Sequence, residues 1–460
     1  MLDGTVNAVN AEGSHRMAPR TRTPNTALRA LMTEAQWTRG QLVRAITRVG
    51  IESGTVLSYD DSTVSHWLKG SLPGPEARPL ICEAFSRHLR RPVTSTDAGF
   101  GNETGAGAVD LVAGVVDLGR ADMDPSRRGV LAAGLYSAAL MVPRYTELST
   151  RLEASTTGRT VRIGAGEVAT VRTMTDRIAD ILDELGGGHA RPMAAAFLVN
   201  TVSPYLRADG SESVKKDMLS AASDLVYLTG WMAMYEREHG LGQRYYVQAL
   251  QLAGSAEDHL TYCRTLRGMA LQASNLGHGT KALELADSAA EASPKAGPRL
   301  QAFLAGQQAH GAAMVKDQRQ AFARLSETEA ALSKADGRND AVGGYDQAAY
   351  QFHVSHVLYE LGDLPGSVKA LQQSNRARPS QERQGRVHAN GLLAQRQLEM
   401  GHVEAACATW EAFLDDYAAI SSARGDDHFR TMRQRIRPHQ SNRAAKSLIQ
   451  RARTVAHQKV

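Results

Sequence analysis

Aromatic residues are scarce: Phe, Tyr and Trp together make up 5 % of the 460 residues. Strands favour aromatic and β-branched side chains, so this shortage, beside abundant alanine, leucine, glutamine and arginine, points to helices. Cysteine is almost absent. Cys82, Cys263 and Cys407 are too far apart for zinc or redox spacing, which leaves buried thiols of a reducing cytoplasm. No apolar run reaches the length of a membrane span. Arg127-Arg128 before the apolar stretch Val130–Val142 has the form of a twin-arginine signal but lies far inside the chain. It is expected to be a core helix opened by Pro125 and stopped by Pro143.

Catalytic signatures are missing too. There is no H-E-x-x-H and no G-x-S-x-G. "GFGNETG" and "GAGE" (Gly164–Glu167) lack the P-loop Lys-Ser/Thr and read as turns. His353 and His356 stand one helical turn apart without an acidic or thiol partner, so helix packing is expected and no metal. No enzyme and no cofactor is expected.

Acidic residues are missing from one place: the 33 residues from His428 to Val460 hold nine Lys/Arg and no Asp or Glu. Met1–Pro92 holds twelve basic against eight acidic residues. With a net charge of +5 the middle must be acidic, so the two ends are the places to hold a polyanion.

What is present begins after an aperiodic stretch, residues 1–20, expected to be a flexible leader. Thr23-Pro24 reads as a cap and first helical residue, with Leu28, Leu31 and Met32 on one face. In "TRGQLVRAITRVG", Thr38 and Gln41 have capping-box spacing, Leu42, Ile46 and Val49 recur helically, and Gly50 is the expected end. "DDSTVSHWLKG" follows, capped by Asp60 or Asp61. Val64, Trp67 and Leu68 should face inward, while Ser62, Thr63, Ser65, His66 and Lys69 make a small, polar, basic outer face suited to a major groove. A fourth helix is expected from about Pro79 to Arg90, with Ile81, Phe85 and Leu89 inside.

"QLVRAI" followed by "STVSHWLKG" resembles the helix-turn-helix of the lambda-repressor/Cro type, the XRE family, over about Pro24–Pro92. The resemblance implies phosphate contacts from Arg39 and Gln41 and DNA contacts from Ser62, Thr63, Ser65, His66 and Lys69. One departure is the connection Gly50–Tyr59, longer than the usual three or four residues.

Residues 93–125 are rich in Gly and Thr and read as a connector. "GRTVRIGAGEVATV" is open to a strand or hairpin reading. Further on, "LGHGTKAL", "VKDQRQAF", "LGDLPGSV" and "MGHVEAAC" repeat one pattern. A turn position (Gly277, Lys316, Gly362, Gly401) is followed five residues later by a small one (Ala282, Ala321, Ser367, Ala406). This resembles the tetratricopeptide repeat, in which helical hairpins stack into a solenoid with a concave binding surface. "DLVYLTGWMAMYEREHG" with "LGQRYYVQALQLA" fits as an earlier pair.

That earlier pair gathers Tyr227, Trp231, Tyr235, Tyr245 and Tyr246, with Arg237 and Arg244 nearby. Two readings stand: inter-helix core, or a cradle for a small-molecule or peptide effector with an anionic group. In the tail, Leu448, Ala452 and Val455 recur helically and Pro438 splits the segment. Two helices are expected, capping the last repeat, with the surplus charge free to reach DNA.

The expected fold is all-α: a lambda-repressor-like helix-turn-helix bundle (21–92), a connector (93–125), a tetratricopeptide-like α-solenoid (126–427) and basic capping helices (428–460). The whole resembles actinobacterial regulators that join these two parts, among them regulators of differentiation and antibiotic production, and is similar to the RRNPP regulators. The resemblance implies a cytoplasmic transcriptional regulator, nucleoid-associated when bound. Its partners would be a double-stranded DNA operator, a second copy of itself and an effector, with no membrane. The alternative is a repeat scaffold for protein–protein contacts.

Overall fold

The computed structural model describes residues 23–52, 58–89, 91, 93–100, 111–123, 136–138, 140, 142, 162–292, 296–335 and 345–459. These residues are all-helical, with one isolated bridge, Arg162–Asp209, and no strand. The leader lies outside them.

Four helices build the N-terminal bundle: α1 (Thr26–Glu34), α2 (Arg39–Glu52), α3 (Asp61–Leu68) and α4 (Ala77–Leu89). The cap of α1 is Asn25 rather than Thr23; its Oδ1 accepts from Leu28 N at 2.8 Å. Thr38 and Gln41 form the expected capping box: Thr38 N donates to Gln41 Oε1 at 2.7 Å and Gln41 N donates to Thr38 Oγ1 at 3.3 Å. Helix α2 runs through Gly50 to Glu52, because Gly50 is buried with a helical backbone and does not cap. Within the long connection, 53–57 lie outside the described residues.

The bundle does not stop at Pro92. Val93, Ala98 and Phe100 are buried in its core beside Leu28, Ile46, Trp67 and Phe85. Asn25 Nδ2 donates to the Ala98 carbonyl at 2.9 Å, and Val93 N donates to Ser86 Oγ at 2.8 Å. The connector reading of 93–125 also fails further on, where α5 (Leu111–Met123) is a helix buried against the body. Residues 101–110, between these two packed parts, lie outside the described residues.

The body opens with α6 (Ala165–Leu185), begun by Glu167 Oε2 accepting from Gly164 N at 2.7 Å. "GAGE" is thus a helix start, and the strand reading of the stretch around it survives only as the Arg162 bridge. After α7 (Gly187–Phe197) come five helical hairpins. They are α8 (Glu212–Tyr235) with α9 (His239–Ser255), α10 (His259–Asn275) with α11 (Gly279–Glu291), α12 (Pro298–Met314) with α13 (Gln318–Leu332), α14 (Gln347–Glu360) with α15 (Leu364–Ala377), and α16 (Arg383–Glu399) with α17 (Val403–Tyr417). The core helix expected before Pro143 falls mostly outside the described residues; at Tyr136, Ser137 and Leu140 the chain is not helical.

Each hairpin turns on a left-handed residue: Arg237 (φ 66°), Gly277 (79°), Lys316 (65°), Gly362 (91°) and Gly401 (80°). A reversal this tight needs positive φ at one position, which glycine adopts without cost. The residues five further on, Ala282, Ala321, Ser367 and Ala406, are all fully buried, so the paired helices approach over a small side chain. Gly242 holds that place in the first hairpin, its Cα site facing the Gly230 carbonyl.

Two last helices, α18 (Ala423–Ile436) and α19 (Arg443–Gln458), finish the chain, split at Pro438 as expected. Ala445, Leu448, Ala452 and Val455 are buried against Trp410, Phe413 and Leu414, so α19 caps the last hairpin. The body then closes on itself. Helix α16 packs on α6. Ser421 N donates to the Leu185 carbonyl at 2.8 Å, and Gly188 N donates to the Ser421 carbonyl at 3.0 Å. Arg237 pairs with Asp427 at 2.7 Å. Gly186, at φ 90°, sits so close to Ser421 that a Cβ would overlap its carbonyl. Gly186→Val should therefore destabilise this seam by roughly 2–4 kcal/mol, through positive φ and overpacking together. Denaturant unfolding with proteolysis at the seam reads this, and an unchanged midpoint would show that the seam carries no stability.

Candidate functional site

Helix α3 is short, and its cap decides what its first turn offers. Asp60 accepts from Thr63 N at 2.8 Å, from Thr63 Oγ1 at 2.7 Å and from Ser62 Oγ at 2.8 Å. These bonds favour the charged carboxylate and lower its pKa to about 2. Both hydroxyl protons are committed to the cap, which leaves Ser62 Oγ and Thr63 Oγ1 as acceptors. Trp67 (4 % exposed), Val64 and Leu68 are buried, with Trp67 meeting Tyr59 edge-on at 5.2 Å. Ser62, His66 and Lys69 are exposed, Thr63 and Ser65 half-buried. Arg39 and Gln41 are exposed at the start of α2, and Arg44 and Arg48 extend the basic surface along that helix. Spacing had not singled out that pair, although both lie in the stretch that carries the resemblance.

A strap joins this bundle to the body. Ala138 N donates to Glu83 Oε1 at 2.8 Å, and Arg87 Nη2 donates to the Tyr136 carbonyl at 3.3 Å. Ser137 exchanges two hydrogen bonds with Gln243, at 2.8 and 2.7 Å, and Tyr136 stacks on His278. Glu83, 4 % exposed, is the buried charge that makes this junction. It escaped sequence reasoning because it falls between core positions of an ordinary amphipathic helix.

The aromatic group of the first hairpin is divided. Tyr245 and Tyr246 are fully buried, and Tyr245 Oη donates to Asp122 Oδ2 of α5 at 3.2 Å. They are core. Tyr227 is buried, whereas Trp231 and Tyr235 keep accessible surface. Arg237 lies at the exposed turn, paired with Asp427, and Arg244 sits on the other helix of the hairpin. Other arginines meet these aromatics: Arg264 lies 5.6 Å from the Tyr227 ring, Arg267 donates to Tyr227 Oη at 2.8 Å and lies 5.0 Å from the Trp231 ring, and Arg424 lies 4.5 Å from the Tyr235 ring. Proximity in sequence misled here, since the first helices of successive hairpins face one another across the ring.

His353 donates to or accepts from Tyr345 Oη at 2.9 Å, and His356 contacts His310 at 4.8 Å between ring centres. Burial pushes the pKa of His353 down to about 3 and of His310 to about 4. Among the described residues no three His, Cys, Asp or Glu side chains converge as metal ligands, and no helix is long and apolar enough to cross a membrane.

Residues 28–101 match the family model described as the SP15 N-terminal domain. Its limits coincide with the core from Leu28 to Phe100. No curated protein matches the chain.

Proposed function

We propose that the chain is a DNA-binding transcriptional regulator of development or secondary metabolism, acting as a homodimer in the cytoplasm and on the nucleoid, whose tetratricopeptide-like body senses an effector. The observation that carries this reading is the division of α3. Its apolar residues are locked into a packed bundle, while His66 and Lys69 stand exposed, as do Arg39, Arg44 and Arg48 on α2. A rigid helix with one small, basic outer face is what base and phosphate contacts in a major groove require. A single such helix buries little DNA surface, which favours two copies reading two half-sites.

Replacing both His66 and Lys69 by alanine is expected to weaken specific duplex binding by about 2–4 kcal/mol without loss of helix content. Fluorescence titration at fixed salt, with circular dichroism alongside, measures both. Unchanged affinity would remove α3 from the interface. A salt-independent association would return the scaffold reading, because only phosphate neutralisation releases counterions.

The tail supports a further contact. Arg430, Arg433 and Arg437 line an open cleft of about 750 Å³ on the exposed side of α18. Truncation after Pro438 would strip the α19 cap and expose Trp410, so point variants are the fair test. Arg433→Ala with Arg437→Ala should flatten the slope of log affinity against log salt by about 2, with sequence preference unchanged. The same slope in the variant would leave the tail as a cap alone.

A further inference from the structure

The first helices of the hairpins share one inner face, and its side chains form a closed circuit. Trp231 on α8 meets Arg267 on α10 at 5.0 Å, and Arg267 lies 3.6 Å over the Phe303 ring on α12. Phe303 meets His353 on α14 at 6.3 Å. Next to His353 in the chain, Phe352 packs against His356, one turn on, and against His388 of α16 at 5.6 Å. His388 Nδ1 lies 2.9 Å from His428 Nε2 on α18. Four residues before His428, Arg424 covers Tyr235, which packs on Trp231 at 5.4 Å and returns the circuit to α8. Contacts that go once around a ring enclose a common centre. Trp231, Tyr235, Phe303, Phe352, His356 and His388 all keep accessible surface there. Yet His356 and His388 are desolvated enough to hold their pKa values well below the ordinary histidine range.

The charge around this centre is unbalanced. Arg267 is 2 % exposed, donates to Tyr227 Oη at 2.8 Å and leaves its Nε unpartnered. Among the described residues no carboxylate forms an ion pair with Arg267 or Arg424. Cation–π contacts return part of the cost of burying a guanidinium. A buried charge without an opposite one remains unfavourable. On α12, Gln307 Oε1 and His310 Nδ1 are buried without partners, and both share a helix face with Phe303. Trp231 and Tyr235 are one turn apart on α8 with ring centres 5.4 Å apart, and each carries one of the two guanidiniums against it.

We propose that the inner face of this ring binds a small planar organic anion, its acid group between Arg267 and Arg424 and its aromatic ring along Trp231 and Tyr235. This deepens the effector-sensing part of the proposed function and rests on it only for the biological use of the site. The acid supplies the missing counter-charge, the rings supply stacking surface, and Gln307 and His310 are left to orient a polar substituent.

The test uses the full chain and two dyes that share their rings: anilinonaphthalene sulfonate, an anion, and phenylnaphthylamine, its neutral counterpart. Fluorescence titration at neutral pH should show one saturable sulfonate site with energy transfer from tryptophan. The neutral dye should bind weaker by roughly thirtyfold or more, the loss expected when a buried charge pair is not formed. Arg267→Gln and Arg424→Gln should each bring the sulfonate down toward the neutral dye while far-ultraviolet circular dichroism stays native. Equal affinity for the two dyes on the unmodified chain overturns the proposal, whether or not either variant folds. So does an unchanged sulfonate affinity in both variants. A chain that binds the sulfonate and ignores duplex DNA keeps this site and loses the regulator; the opposite pattern loses the site alone.

Discussion

Replacing Trp67 by alanine should unfold the N-terminal bundle or leave it about 3–5 kcal/mol less stable, the cost of emptying a core site of that volume. Trp67 is 4 % exposed, packs edge-on against Tyr59 and shares a core with Leu28, Leu42, Ile46 and Phe85. No other element of the small bundle fills that space. Duplex binding would be lost with the fold, in contrast to the His66/Lys69 variant, which should lose binding and keep its helix. Comparing the two by denaturant unfolding and by DNA titration separates the inner from the outer face of α3. A stable Trp67→Ala protein would mean that α3 is not anchored by this residue and that the outward assignment of His66 and Lys69 has no basis.

Acidification should unfold the body well before ordinary carboxylate titration would. Burial pushes His239, His353 and His428 down to about 3 and His310 to about 4, and holds His356 and His388 well below the usual range. An unfolded chain takes these protons from about pH 6.5 downward, while the native ring refuses them. Their stability contribution is therefore fully present above about pH 6.5 and falls by about 1.4 kcal/mol per pH unit for each such histidine until the folded values are reached. Two acids at the seam act the other way. Burial raises Asp183 and Glu236 to about 7, so each gains native stability as pH falls from about 7 toward the unfolded carboxylate range. Burial also lowers His278 and raises Asp224, so seven histidines stand against three acids, and a cooperative loss of helix near pH 5 follows as an order-of-magnitude expectation. Circular dichroism against pH measures it. His310→Gln together with His356→Phe should move the midpoint lower; a midpoint below about pH 3, the same in both proteins, would show that these histidines protonate without resistance.

Much of the bundle was legible from short-range pattern. Val64, Trp67 and Leu68 recur at helical spacing and are buried; Thr38 and Gln41 cap as their spacing predicts; Pro438 splits the tail. The hairpin turns were legible for the same reason. A left-handed backbone at Gly277, Gly362 and Gly401 and a small residue five positions later are local demands, met within one turn of helix. Less legible was the bundle's edge. Val93, Ala98 and Phe100 carry no periodicity of their own, and their burial depends on Asn25 and Ser86 reaching them.

The sequence by itself therefore determined helices, caps, turns and the two faces of α3, because those follow from interactions among residues a few positions apart. Tertiary structure alone decided that the hairpins close into a ring, that Arg267 and Arg424 meet Trp231 and Tyr235, and that the inner histidines are desolvated. Closure depends on small rotations accumulated over successive hairpins and on contacts such as Ser421 with Leu185, whose partners lie more than two hundred positions apart and leave no mark in local pattern.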